Sequence, residues 1–219
     1  MQVTVLRNPE QASAHAAGRM AAAVAAGGHL ALAGGGTPRR AYELLAQRTD
    51  VPWVEVDLWF GDERCVPPDD PESNYHMVAG SLLPGARDAR VHRVRGEDDP
   101  DAAAAAYGQQ IAGVVLDLAL LGLGEDAHTA SLFPDSPALA ERMRLAVPVT
   151  ATKPPPRRIT LTYPVFEAAR AVVVLAVGEG KADAVARTLA GRDPHYPASL
   201  LPDAATELVV DVAAAAQLR

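Results

Sequence analysis

The chain has 219 residues, enough for one well-buried domain or at most two small ones. Apolar residues make up 49% and charged residues 21%, close to the averages for soluble globular proteins. The net charge of −7 argues against a general nucleic-acid surface, which needs clustered Lys and Arg, but a few local cations could still hold a small anion.

The single cysteine, Cys65, excludes an intrachain disulfide and a Cys-based zinc site, and fits a reducing compartment. The opening MQVTVLRNPEQ lacks the basic and apolar regions of a signal peptide. No stretch approaches the ~20 apolar residues of a membrane span, so a cytoplasmic setting is expected. Only two of the 20 cationic residues are lysines, Lys153 and Lys181.

In chain order, Val3–Leu6 alternates like a short strand. Residues 10–26 are Ala-rich and predict a helix stopping at Gly27-Gly28. HLALA at 29–33 is an apolar strand ending in GGGTP, and PRRAYELLAQR predicts an amphipathic helix. VDLWF at 56–60 is the next strand, followed by the polar loop GDERCVPPDDPESN, with Ser73 capping a helix through Leu83. Residues 98–113 predict a helix and LDLALLG at 116–122 a buried strand. A short strand is expected at 145–149, a stiff Pro-rich loop at 153–158, and then RITLTY leading into a helix through Ala169. AVVVLAVG at 171–178 is a third strongly apolar strand; GKADAVARTLAG predicts a helix and ELVVDV a last strand.

Strands alternate with helices, and the best strands are continuous apolar runs. That pattern predicts a parallel sheet with helices on both faces, in a single domain over residues 1–219. In such folds ligands bind at the C-terminal ends of the strands. Four of these ends carry unusual residues.

GGGTP offers glycines for close backbone approach, Thr37 as N-cap and Pro38 as first helical residue. It suits a phosphate at a helix N-terminus, or simply a tight turn. Asp62, Glu63 and Arg64 cluster after VDLWF; the arginine could clamp an anionic oxygen, or the three could be a solvated charge run. In GLGEDAHTASLFP, His128 could be a general base with Asp126 orienting its ring, although a loop histidine is more often unremarkable. Lys181 opens a helix in VGEGKADAV, where a cation opposes the macrodipole unless an anion binds; it could equally be a surface lysine. No metal-ligand spacing stands out among the six histidines. Ser131 lacks the G-x-S-x-G elbow of a serine hydrolase.

Taken in order, GGGTP, FGDERCVPPDDPESN, GLGEDAHTASLFP, PPRRITLTYPVFEAA and VGEGKADAV resemble the 6-phosphogluconolactonases. The match runs from about residue 29 to Lys181, with weaker echoes in YPASLLP and VVDVAAA. The resemblance implies a three-layer, doubly wound α/β domain of the modified Rossmann, sugar-phosphate isomerase-like kind. It implies hydrolysis of a phosphorylated sugar lactone without metal or cofactor. A monomer or weak homo-oligomer that engages neither nucleic acid nor membrane is expected. By position, His128 becomes the base that activates water and Asp126 its orienting partner. Lys181 and Gly35, Gly36 and Thr37 become phosphate ligands, and Arg64 and Arg158 line the substrate site.

Two residues depart from the family pattern. Ala127 stands where glycine is usual, a cost on the order of 1 kcal/mol if its φ is positive. Gly36 replaces a serine and removes a hydroxyl. Two other functions fit parts of the pattern. One is a glucosamine-6-phosphate deaminase, which shares the phosphate loop but carries H-I-A-F-N-E-P where this chain has HTASLFP. The other is a sugar-phosphate-sensing effector domain, for which the chain shows no helix-turn-helix segment.

Overall fold

The computed structural model describes residues 1–218. The chain begins with β1 (Gln2–Leu6), α1 (Pro9–Ala23), β2 (Gly28–Leu32), α2 (Gly36–Ala46) and β3 (Val56–Phe60). It continues through β4 (Asp62–Arg64), α3 (Asn74–Ser81), β5 (Arg90–Val91), α4 (Pro100–Ile111) and β6 (Leu118–Gly122). The last part holds β7 (Ala146–Thr150), β8 (Arg157–Leu161), α5 (Tyr163–Ala168), β9 (Val172–Ala176), α6 (Ala182–Leu189) and β10 (Thr206–Asp211).

Seven strands form one parallel sheet in the order β1-β10-β9-β6-β2-β3-β5. The inner strands β3, β9 and β10 are buried along their whole length, as strands covered on both faces are. From β2 the chain moves outward to β3 and β5, then returns to β6 and moves outward the other way. Right-handed crossovers in opposite directions put their helices on opposite faces, which gives the expected doubly wound α/β arrangement. The reversal falls between β2 and β6, so the crevice opens where the glycine loop and the GLGEDAH segment leave the sheet.

The helices begin where local chemistry allows. Asn8, Ser73 and Asp99 cap α1, α3 and α4 by accepting N–H groups of Gln11, His76 and Ala102. α2 differs from expectation. Gly35, at φ 100°, is its N-cap, and Thr37 lies within the first turn. A glycine tolerates that backbone angle at no steric cost, so the helix starts before the threonine.

A second, three-stranded sheet, β4-β8-β7, is antiparallel. The segment expected to be a polar loop at 62–64 is therefore a strand, and the expected stiff loop at 153–158 ends in another. Leu161 donates its N–H to the Gly61 carbonyl and Gly61 donates to Leu32, which ties this small sheet to the end of β2.

Candidate active site

Past β6 the chain folds back on itself within five residues. The Ala127 N–H donates to the Gly124 carbonyl at 3.1 Å, and the Gly124 N–H donates to the His128 carbonyl at 2.8 Å. Closing the turn puts Ala127 at φ 59°, left-handed and fully buried, and its carbonyl accepts the Ala198 N–H at 2.9 Å. Beyond the histidine, Thr129 Oγ1 donates to the Gly122 carbonyl at 3.0 Å. The turn is thus fastened on both sides of His128.

Within it, Asp126 Oδ1 accepts the His128 N–H at 3.2 Å and lies 2.5 Å from Nδ1. That contact assigns the ring proton to Nδ1 and leaves the Nε2 lone pair available. Burial pushes the Asp126 carboxyl upward, but the hydrogen bond and charge of His128 outweigh it and hold the group at about 2. Asp126 is therefore a permanent carboxylate at neutral pH. A Cβ on Gly124 would collide with the His128 ring and with Asp126, so glycine is required there. On its other side the imidazole meets Phe133, with ring centroids 4.6 Å apart.

Two adjoining hollows of about 210 and 240 Å³ meet at His128, sharing Gly124, Arg158 and Lys181. The first continues to Gly34, Gly35, Asp62 and Arg64; the second to Glu125, Asp126, Phe133, Thr152 and Lys153. Of the expected site residues, His128, Asp126, Gly35, Arg64, Arg158 and Lys181 come together here. Gly36 and Thr37 sit just beside them in the first turn of α2.

The arginines are brought together by the small sheet, whose β4–β8 register sets Arg64 directly opposite Arg158. Burial lowers the Arg158 pKa and the Arg64 charge lowers it further, against the pull of Asp62 and Glu72. Like charges facing across a strand pair are unfavourable, so a bound anion would relieve the site. Arg64 donates from Nη1 to the Glu72 carbonyl at 2.7 Å, while its buried Nε has no hydrogen-bond partner. Lys181 makes no ion pair among the described residues.

The carboxylates of the Asp-Glu-Arg run serve the scaffold. Glu63 is buried and accepts backbone N–H groups from Arg64, Asn74 and Tyr75 at 2.7, 2.7 and 2.8 Å, closing the start of α3. Burial raises its pKa against those bonds. Asp62 accepts Ser131 Oγ at 2.6 Å and Asn74 Nδ2 at 3.1 Å. Ser131 is fully buried in this role, so it is not a nucleophile beside His128. No group of three potential ligands among the described residues could hold a metal ion.

Of the cleft residues that were not expected, Lys153 and Phe133 bear most on the chemistry. Lys153 reaches the second hollow from the turn between β7 and β8, and its scarcity as a lysine was the available signal. Phe133 was hidden in TASLFP, where an aromatic ordinarily means core.

Residues 7–210 match the family model described as glucosamine-6-phosphate isomerases/6-phosphogluconolactonase. A 6-phosphogluconolactonase of Mycobacterium tuberculosis is 42% identical over 196 residues, 81% of this chain and 79% of that protein. One of Streptomyces coelicolor is 41% identical over 191 residues, 78% of this chain and 73% of that protein. Among solved structures, the 6-phosphogluconolactonase of Trypanosoma brucei superposes with a TM-score of 0.85 at 28% identity, covering 100% of this chain and 98% of that one. A monomeric glucosamine-6-phosphate deaminase superposes at 0.87 with 25% identity, covering 100% of each chain. With its parallel sheet, its switch-point cleft and a match spanning residues 7–210, the chain belongs to the glucosamine-6-phosphate isomerase/6-phosphogluconolactonase family.

Proposed function

We propose that this protein hydrolyses 6-phospho-D-glucono-1,5-lactone to 6-phospho-D-gluconate, the lactonase step of the oxidative pentose phosphate pathway. The observation that carries this reading is the Asp126–His128 pair, 2.5 Å apart, facing a cleft rimmed by Arg64, Lys153, Arg158 and Lys181. The relatives named as 6-phosphogluconolactonases support the substrate.

His128 Nε2 takes a proton from a water molecule, whose oxygen attacks the lactone carbonyl carbon. The carbonyl oxygen becomes an oxyanion, and a nearby guanidinium of Arg64 or Arg158 stabilises it. The ring C–O bond then breaks, and the imidazolium returns its proton to the departing oxygen. No covalent enzyme intermediate is needed, because a lactone is already an activated ester. Asp126 keeps the proton on Nδ1 and stabilises the transient imidazolium, as an orienting carboxylate does in hydrolases. Lys181, Lys153 and the free N–H groups of Gly36 and Thr37, with Gly35 allowing close approach, hold the phosphate. The cations thus act on the substrate's two ends, and phosphate binding orients the reacting carbon.

One unit spanning the whole chain performs this reaction in the cytoplasm, as a monomer or weak homo-oligomer, without cofactor, nucleic acid or membrane. No helix among the described residues is long and apolar enough to cross a membrane. The likeness to the monomeric deaminase makes glucosamine-6-phosphate deamination the second reading. Against it, the run after Asp126-Ala127 is HTASLFP, with no Glu to assist ring opening.

The test is His128→Ala, assayed for lactone hydrolysis above the spontaneous rate and for ammonia release from glucosamine 6-phosphate. Hydrolysis by the parent that drops at least roughly 10²-fold in the variant is expected. An unchanged rate refutes His128 as base, and ammonia release by the parent favours the deaminase.

A further inference from the structure

The chain has three phenylalanines. Phe60 and Phe166 are fully buried in the hydrophobic core; Phe133 is half-exposed and lies outside that cluster. Its ring touches the His128 imidazole on one side, at 4.6 Å between centroids and 47° between planes. The Arg158 guanidinium carbon lies over the same ring, 5.6 Å from its centroid. The two groups of the cleft that carry or acquire positive charge therefore both lie against one apolar ring.

The backbone around it is tightly held. Ser131 donates its N–H to Thr160 Oγ1 at 3.2 Å, Leu132 is fully buried and donates to the Thr129 carbonyl at 2.9 Å, and the Phe133 carbonyl accepts the Ser136 N–H at 3.2 Å. Asp135 turns the chain at φ 60°. A side chain anchored so firmly at its base, yet kept out of the core, has its position set for what its ring touches.

We propose that Phe133 is a positioning residue for the hydrolysis, setting the imidazole plane of His128, favouring its protonated form through the ring face, and holding Arg158 beside it. The proposal rests on His128 being the base. A ring face is negative, so it attracts a cation and does little for a neutral imidazole. The imidazolium exists only after the water proton has been taken, so this interaction strengthens along the reaction path. The ring likewise offsets the repulsion that Arg158 feels from Arg64. Other charges reaching His128 are Asp126, bonded to it, and Asp62, Glu125, Arg64, Lys153 and Lys181 around the two hollows. None of these is altered when the ring is replaced by an uncharged side chain.

The experiment uses the full chain and the variants Phe133→Leu, Phe133→Met and Phe133→Trp. Met fills similar space without a π face and serves if Leu fails to fold. The His128 ring protons are titrated by NMR, and kcat and KM are measured across pH. Loss of the ring face is expected to move the His128 titration and the acid limb of kcat/KM to lower pH by about half a unit. It should also lower kcat about three- to fivefold. Phe133→Trp should restore both, since indole is the stronger cation partner. An unmoved titration in Phe133→Leu and Phe133→Met, or a Trp variant no better than Leu, overturns the proposal. Those results beside an inactive His128→Ala refute Phe133 alone; an active His128→Ala refutes the base assignment itself.

Discussion

Replacing Ala127 by glycine isolates the cost of the turn that aims His128. At φ 59° an L-residue pays roughly 1–2 kcal/mol for the left-handed conformation, which glycine would release. Two effects oppose that release. The Ala127 methyl is fully buried, so removing it forfeits about 0.8 kcal/mol of apolar burial. Glycine also gives the unfolded chain more freedom, worth about 0.4–1 kcal/mol. The three nearly cancel, so Ala127→Gly should shift stability by no more than about 1 kcal/mol, or about 2–4 °C in Tm for a chain of this size. Ala127→Val, by contrast, puts a β-branched side chain into the same angle at a fully buried position and should lose about 3 kcal/mol or more. Urea and thermal unfolding of parent and both variants give the comparison. A gain above about 1 kcal/mol in the glycine variant would mean the methyl packs against little. A Val variant as stable as the parent would refute the left-handed turn itself.

Asp126→Asn removes the carboxylate that fixes the imidazole tautomer and should lower kcat roughly 10²–10⁴-fold with KM little changed; steady-state kinetics checks both. The Asp126 carboxyl is depressed to about 2, below its unfolded value, so its stabilisation is present above roughly pH 4 and lost as pH falls toward 2. The Tm gap between parent and Asp126→Asn should accordingly narrow over that window; because the side chain is half-exposed, the gap is small to begin with. Gly124→Ala drives a methyl into His128 and Asp126 and should cut kcat by about 10²-fold or more, whereas Gly80→Ala, whose new methyl meets nothing, should leave it unchanged. Glu63→Ala strands the N–H groups of Arg64, Asn74 and Tyr75 and should cost about 3 kcal/mol, read by urea unfolding.

Most of the central sheet was legible in the sequence because its inner strands are mostly apolar and alternate with helical segments; β5, two residues long, was not. The small sheet was not. β4 is three residues long and polar, and its partner β8 lies almost a hundred residues further along, so neither periodicity nor local turn chemistry announces the pairing. That pairing decides which arginines face each other, so Arg158 could be placed only through the resemblance. Only Arg64 of the Asp-Glu-Arg run carried a functional expectation; that Glu63 closes the start of α3 is not visible in the sequence. Thr37 looked like the helix cap because threonine usually is one; the positive φ of Gly35 moved the start back. His128 and Asp126, two residues apart on one turn, were the part of the site that local sequence could express.

The adjacency of β1 and β10 has a consequence for how the molecule is made. Gln2 aligns with Glu207, so the first strand has no partner until some 205 further residues have been synthesised. At 5–20 residues per second that wait is about 10–40 s. Throughout it, Val3 and Val5, exposed even in the finished fold, stand on an unpaired strand edge, a surface that invites pairing with a neighbouring nascent chain. For this protein, then, β1 is sheltered by a strand made some 205 residues after it.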